Sequence, residues 1–339
     1  MKSFKQLAPF YVALLILLVG LILISLSLGD SNMSLLSVVQ VILGKSSSAM
    51  ALIITKIRLP RILAACVGGG SLALSGLLLQ SLTRNPLADS GILGINTGAG
   101  VTLAIFVSFS SLNQTTLSQL LPLFAMAGAS LTIFSVYQLS LTRQRQINPT
   151  RLIITGVGVT TMLSSLMVAL VGNVNRYKVD LVINWLSGQI TGDDWPTLLR
   201  IAPLLLLLWL LTFYQAYRLN IMSLSDDTAI GLGLALNKQR FLTLTLATAL
   251  AALSVLLVGN ISFIGLMAGH TSKRLVGSDH RLTIPASLFI GMLVLLLADT
   301  IGRVYLVGSN IQTGILVSLI GAPYFLYLMA VSYTHLRAH

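Results

Sequence analysis

Long apolar stretches separated by short polar segments run through the whole chain. A membrane-spanning helix needs about 20 consecutive apolar residues, and nine stretches approach or exceed that length. They are residues 9–28, 62–82, 92–109, 117–141, 152–171, 195–217, 241–258, 282–301 and 314–331. The pattern therefore predicts an all-α, polytopic bundle of membrane helices.

A further apolar piece, ISFIGLMAG at residues 261–269, is too short for an ordinary span. It is bounded by Gly259 and by His270. Irregular backbone at membrane depth is stable only where protein surrounds it. We therefore expect a short or re-entrant helix buried within the bundle. If this piece also crosses, the chain has about ten transmembrane helices.

Basic residues between the apolar stretches give the expected orientation. Cytoplasmic loops of membrane proteins carry an excess of Lys and Arg. With the amino end inside and the short piece crossing, the densest basic loops all fall on the cytoplasmic side. Their basic residues are Lys2 and Lys5, then Arg143, Arg145 and Arg151, then Arg218, Lys238 and Arg240, and finally Lys273, Arg274 and Arg281. Both termini are therefore predicted to be cytoplasmic.

Composition agrees with a membrane protein and excludes other classes. Of the 339 residues, 55% are hydrophobic and 9% are charged, against about 25% charged in a soluble domain. The net charge is +12. In a nucleic-acid-binding protein such charge clusters on one polar face, whereas here it lies in short loops, so no nucleic-acid partner is expected. The single cysteine, Cys66, lies in an apolar stretch and is expected to be a packed thiol.

No segment has the spacing of a nucleotide-binding or metal-binding site. The phosphate-binding pattern G-x-x-x-x-G-K-[ST] is absent, so this chain is not expected to hydrolyse ATP. No cluster of His, Cys and Asp has metal-ligand spacing, and His270 and His280 are isolated from any cysteine. The sequence predicts a protein without catalytic residues or cofactor.

Three arginines disagree with the orientation set by the other basic residues. Arg58 and Arg61 precede the stretch 62–82, and Arg303 follows the stretch 282–301. With the amino end inside, all three lie outside, where basic residues do not mark topology. Either the count of spans is wrong by one, or these arginines have another role.

The segment SLSDDTAIGLG lies in a predicted inside loop, and its composition indicates a short helix. Ser225 or Asp226 suits the N-cap, and Asp226 and Asp227 suit the positive end of the helix dipole. Gly231 and Gly233 are then expected to break or turn the helix. Such an exposed helix has nothing apolar to bury unless a partner supplies a groove. An ordinary solvated loop is the alternative.

Four blocks of sequence carry a family resemblance. They are RLPRILAACVGGGSLALSGLLLQSLTRNPLADSGILGINTGAG from Arg58, IMSLSDDTAIGLG, ISFIGLMAGHTSKRLVGSDHRLTIPASLFIGMLVLLLADTIGR and GILVSLIGAPYFLYL. In this order they resemble the permease family of ABC importers for iron–siderophore complexes, haem and vitamin B12. The resemblance implies a type II ABC importer permease in the bacterial cytoplasmic membrane. It also implies one transmembrane domain over residues 1–331, followed by a polar tail, residues 332–339, outside the family pattern.

The resemblance also assigns roles to residues and partners. It implies that Arg58, Arg61 and Arg303 bind acidic residues of an extracytoplasmic substrate-binding protein. It implies that Ser225, Asp226, Asp227, Gly231 and Gly233 form the element that couples to two ATP-hydrolysing subunits. A second permease copy or a sister permease would complete the pathway, and membrane lipid would surround it. The alternative for the arginines is structural: interfacial anchoring, or pairing of Arg303 with Asp299 one turn earlier.

The expected cargo is an iron(III)–siderophore complex, with haem or cobalamin as alternatives. A different class, an ion-driven secondary transporter, would require carboxylates or broken helices at mid-membrane. Asp299 lies near an outer end, and the other aspartates fall in loops or at the ends of spans. The sequence therefore favours the ABC importer permease.

Overall fold

The computed structural model describes residues 4–28, 34–43, 48–110, 114–142, 146–171, 183, 186–190, 194–305 and 311–336. These ranges are mostly helical, with one isolated β-bridge between Leu141 and Ile147. Among the residues singled out from the sequence, Lys2, Arg143, Arg145 and the last three residues of the tail, 337–339, lie outside the described ranges.

The described helices follow the apolar pattern. They are α1 Phe4–Ser27, α2 Leu35–Ile42, α3 Ser48–Leu52, a π-helical turn Ile53–Arg58, α4 Leu59–Thr83, α5 Ile95–Phe109, α6 Gln114–Ser140, α7 Pro149–Val171, α8 Trp195–Tyr214, α9 Ala216–Met222, α10 Asp226–Gly231, α11 Leu236–Val258, α12 Ile264–Val276, α13 His280–Tyr305 and α14 Thr313–Leu336. Each of the nine expected spans overlaps one of these helices, and the span 195–217 also extends from α8 into α9. The all-α membrane bundle is thereby confirmed.

Seven stretches of the described residues are long and apolar enough to cross a membrane. They lie within α1, α4 with the turns before it, α6, α7, α8, α11 and α13. Helix α5 and the apolar part of α14 are shorter. Helix α5 begins at Ile95, three residues later than expected, because Gly94 adopts a left-handed conformation with φ of 78° and starts the helix there.

The short piece is helix α12, which has 13 residues. Its length is about 20 Å, well short of the roughly 30 Å hydrocarbon core. Residues 264–269 are all buried. The prediction of a short helix buried within the bundle is confirmed.

Helix α4 forms the centre of the bundle and packs against α11, α12 and α13. Its glycines allow backbones to approach closely, as small residues do in membrane bundles. A Cβ added at Gly69 would lie 2.6 Å from the carbonyl oxygen of Gly291, and one at Gly76 would overlap the Cα of Gly265. The glycines of α4 therefore serve helix packing.

This packing predicts that Gly76→Ala destabilises the bundle. The new methyl group would meet the backbone of Gly265, which cannot rotate away as a side chain can. Overpacking of this kind costs about 1–3 kcal/mol, and we expect a lower temperature of thermal unfolding in detergent. Gly20→Ala is the control, since no atom lies within 4 Å of a Cβ there. Equal melting of the two variants would contradict this account of the helix crossing.

Candidate coupling and docking sites

The coupling segment consists of α9, a short turn and α10. Ser225 is the N-cap of α10, and its Oγ accepts a hydrogen bond from the Thr228 N–H at 3.3 Å. Helix α10 ends at Gly231, and Gly233 takes a left-handed conformation with φ of 82°. The N-cap and the break after the helix are confirmed. No atom lies within 4 Å of a Cβ at Gly231, so local space does not require glycine at that position.

Asp226 fixes α10 to the bundle through two arginines. Its Oδ1 accepts from Arg84 at 2.7 Å and from Arg240 at 2.8 Å, and its Oδ2 accepts from Arg240 at 2.9 Å. Partial burial raises the pKa of this carboxyl, but the hydrogen bonds from Arg240 and Arg84 outweigh it, so the pKa lies below its usual range. Arg84 follows α4 and Arg240 lies in the first turns of α11. Asp226 therefore holds the segment in place as well as facing the helix dipole.

Apolar side chains on the coupling segment face outward. Ile230 is 58% exposed and Leu232 is 60% exposed, on either side of Gly231. Asp227, in the first turn of α10, is also exposed. Adjacent exposed Ile and Leu side chains at the end of a short helix are typical of a surface that a partner covers. This favours a docking element over an ordinary solvated loop.

A partly buried polar network connects the start of the segment to the bundle. Asn220, in α9, accepts at Oδ1 from the His280 backbone N–H at 2.8 Å and contacts His280 Nδ1 at 2.7 Å. An amide oxygen can only accept, so Nδ1 carries the proton in this contact. His280 Nε2 lies 2.6 Å from Ser81 Oγ in α4, and Asn220 Nδ2 donates to Asp279 at 2.7 Å. A displacement of α9 would therefore act directly on the start of α13 and the end of α4.

Arg58, Arg61 and Arg303 lie together where α1, α4 and α13 meet. Arg58 is only 5% exposed, and its Nη1 donates to the Leu26 carbonyl at 2.6 Å. Arg303 donates to the carbonyls of Leu28 at 3.2 Å and Ser25 at 3.0 Å. Cations are stabilised by the carbonyls at the carboxyl end of a helix. Arg58 and Arg303 therefore both stabilise the end of α1.

Arg61 forms the main ion pair of this cluster. Its Nη2 and Nε lie 2.8 and 3.1 Å from Asp299 Oδ1, and Thr313 donates to the same oxygen at 3.2 Å. The structural alternative, an i,i+4 ion pair between Arg303 and Asp299, is also present. Its N–O distance is 3.8 Å, longer than that of the Arg61 pair. The Asp299 side chain is fully buried, whereas the Arg61 side chain is 26% exposed. The structure thus brings the predicted residues together, and their docking role stays a prediction.

Asp89 is a buried carboxylate, one of the aspartates that the sequence predicts in loops or at the ends of spans. Its Oδ2 accepts from the Phe263 N–H at 3.3 Å, at the start of α12. A Cβ added at Gly265 would lie 2.6 Å from the Asp89 Oδ1. Gly265 is also the residue against which Gly76 of α4 packs. Gly76 lies seven residues before the end of α4, about 10 Å along the helix, so the loop after α4 folds back into the bundle. Asp89 caps the start of the short helix, where a carboxylate suits the helix dipole.

Within the described residues, no group of three or more His, Cys or Asp side chains is placed to hold a metal ion. The polar clusters found are ion pairs and hydrogen-bond networks between helices. Their geometry indicates a membrane bundle with an exposed element at the end of the bundle where α4 ends and α11 begins, and an arginine cluster at the opposite end.

Comparison with known proteins matches this architecture over almost the whole chain. The model of the FecCD transport family matches residues 16–331. This match ends at residue 331, where the permease domain is predicted to end, and the division into a domain and a tail stays a prediction.

Several relatives are named as iron-chelate permeases. The chain is 38% identical over 318 residues to the iron(3+)-hydroxamate import system permease protein FhuG of Bacillus subtilis, covering 93% of this chain and 94% of that protein. It is 37% identical to the Fe(3+)-citrate import system permease protein YfmE of Bacillus subtilis, covering 96% of each. It is 36% identical to the hemin transport system permease protein HmuU of Yersinia pestis, covering 91% of this chain and 93% of that protein.

A solved structure has the same fold. It is described as an inward-facing conformation of a metal-chelate type ABC transporter. The TM-score is 0.81 at 28% identity, covering 97% of this chain and 99% of that chain.

Proposed function

The chain belongs to the FecCD transport family and is the permease subunit of an ABC importer for iron chelates, and we propose that a hydroxamate siderophore is the chelate it carries. The relative named for iron(3+)-hydroxamate import, 38% identical over nearly the full length, is the observation that carries this proposal. ATP hydrolysis belongs to a separate subunit. Haem is the alternative cargo, since the relative named for hemin is 36% identical.

Uptake measurements test the cargo. The chain is expressed with its ATPase and binding-protein partners in a host that lacks its own iron-chelate importers. We expect radioactive iron to enter from a hydroxamate complex, and vanadate or ATP depletion to stop it. Uptake from haemin with none from the hydroxamate would overturn the proposal. Uptake that instead fails with a protonophore while ATP is maintained would indicate a secondary transporter.

We propose that the partners are two ATPase subunits, a binding protein and a second permease. The exposed Ile230 and Leu232 support the ATPase contact. Helix α7 supports the permease contact, because Gly158, Thr161 and Ser165 lie on one exposed face, and small residues allow close helix approach. Co-purification is the direct measurement: an ATPase subunit should be retained in detergent with this chain.

Orientation is a separate prediction. With both termini cytoplasmic, Lys56→Cys should react with an impermeant thiol reagent added outside, whereas Lys238→Cys and Arg151→Cys should not. All three positions are exposed, so access to the side chain does not limit the reaction. The native Cys66 is buried, which keeps the background low. The reverse labelling pattern would overturn the orientation and the docking proposal with it.

We infer that Arg61 makes the main contact with the binding protein. Its side chain is more exposed than that of Arg58 or Arg303. An Arg guanidinium pairs well with a carboxylate because its planar fork matches the two oxygens. Arg58 and Arg303 contribute by holding the end of α1 beside it.

A further inference from the structure

A groove runs between α6 and α11 on the outer face of this single chain. Its volume is about 380 Å³. The lining includes Ser130, Phe134 and Tyr137 from α6, and Phe241, Thr245 and Ala249 from α11. The Thr245 hydroxyl donates to the Phe241 carbonyl at 2.9 Å, so it presents no unmet donor to the groove. The groove is therefore suited to an apolar occupant.

The groove is made by small side chains next to large aromatic ones. Along α11, Thr245 and Ala249 leave space, whereas Phe134 and Phe241 stand at its rim, 58% and 50% exposed. Protein interiors are close-packed and leave few voids. In a bilayer the surrounding medium is hydrocarbon, and an acyl chain supplies the contacts that an empty groove would lack.

The length of the groove matches one leaflet of a bilayer. Phe241 and Leu253, at its two ends on α11, are twelve residues apart, about 18 Å along the helix. Half of a hydrocarbon core of roughly 30 Å is about 15 Å. The rings of Tyr137 and Phe241 lie 5.4 Å apart at the end where α11 begins, and Tyr is enriched where membrane meets water.

A cation stands at the head of the groove. Lys238 is exposed and lies three residues before Phe241, which places the two side chains on the same face of α11. A lysine one turn beyond the hydrocarbon boundary reaches the phosphate of a lipid headgroup. We propose that this groove binds an acyl chain of an anionic phospholipid, with Lys238 contacting the headgroup. In the proposed orientation the lipid belongs to the cytoplasmic leaflet.

Lipid retention by the purified full-length chain tests the proposal. The chain is exchanged from detergent into mixtures of phosphatidylglycerol and phosphatidylcholine with identical acyl chains, and bound lipid is counted by native mass spectrometry. We expect phosphatidylglycerol to be retained preferentially. Lys238→Gln should reduce that preference about fivefold, equivalent to about 1 kcal/mol for one basic residue near an anionic surface. Ala249→Trp should fill the groove and reduce the retention of both lipids.

Two matched variants and one stability measurement control the test. Leu207→Trp places the same side chain on α8 at a position 53% exposed, and Lys56→Gln removes an exposed cation at the other end of the bundle. Both should retain lipid as the wild type does, and all variants should unfold at similar temperatures. Unchanged retention in Ala249→Trp, unchanged preference in Lys238→Gln, or equal losses in the controls would overturn the site. A change of oligomeric state in Ala249→Trp with lipid retention intact would assign the groove to a second copy instead.

Discussion

Replacing Ile230 and Leu232 by Glu should abolish coupled transport while leaving the permease folded. Both side chains are mostly exposed, so their replacement removes little packing within this chain. If they enter a groove of the ATPase subunit, each contributes about 1.5–3 kcal/mol of apolar burial there. Two charges in that groove add desolvation costs. We expect ATPase co-purification and iron uptake to fall by more than about tenfold.

A conservative pair of substitutions separates this loss from a folding defect. Ile230→Leu with Leu232→Met keeps the apolar area and should preserve most of the uptake. The amount of protein in the membrane and its melting temperature should be the same for both double variants. Normal uptake with Glu at both positions, at equal protein levels, would show that the segment is a solvated loop.

A substitution of Asp226 would not test the coupling role by itself, because Asp226 pairs with Arg240. Arg240 has a side chain only 6% exposed, and Asp226 is its carboxylate partner. Removing Asp226 would leave a nearly buried charge without that partner, which is strongly destabilising. Loss of uptake in such a variant would therefore mix coupling with local unfolding. Ile230 and Leu232 avoid this difficulty.

The sequence predicted the spans well because their signal is local. Length and apolarity are sufficient to identify a helix such as α11, where every turn lies in hydrocarbon or protein. The N-cap of α10 was predicted from its immediate neighbours to be Ser225 or Asp226, and it is Ser225. Features set by one short stretch of chain were thus within reach of sequence reasoning.

Features that join distant parts of the chain could not be predicted from the sequence. Arg61 and Asp299 are 238 residues apart, and nothing in their spacing indicates an ion pair. Arg84 and Asp226 are 142 residues apart, and Arg240 carried only a topology assignment from the sequence. These pairings follow from how helices pack side by side, which the apolar pattern does not encode.

The depth of Asp89 was missed for a related reason. Asn85 and Pro86 predict a turn after α4, but a turn does not say whether the following loop leaves the membrane or folds back. Asp89 accepts a hydrogen bond from the backbone N–H of Phe263, which is 174 residues further along the chain. Broken helices with a carboxylate at mid-membrane also occur in secondary transporters, yet here the carboxylate is engaged as a helix cap.

Arg61 and Asp299 allow the docking proposal to be separated from a structural role. Arg61→Gln alone removes the main partner of the buried Asp299 carboxylate, and Asp299→Asn alone removes the carboxylate that Arg61 contacts. Breaking one side of a buried pair costs about 3–5 kcal/mol, whereas removing both charges costs much less. We therefore expect the double variant to unfold at a higher temperature than Arg61→Gln, with a coupling energy measurable in a double-mutant cycle.

The variants should rank differently in their capture of the loaded binding protein than in their unfolding temperature. In Asp299→Asn the cation at position 61 is retained and released from its internal partner, so capture should stay within about threefold of the wild type. The double variant lacks that cation and should capture the binding protein about tenfold less tightly. The difference should shrink as salt rises, because ions screen attraction beyond about 10 Å at 0.1 M. If the double variant captures as tightly as Asp299→Asn at low salt, Arg61 serves only to hold α4 against α13.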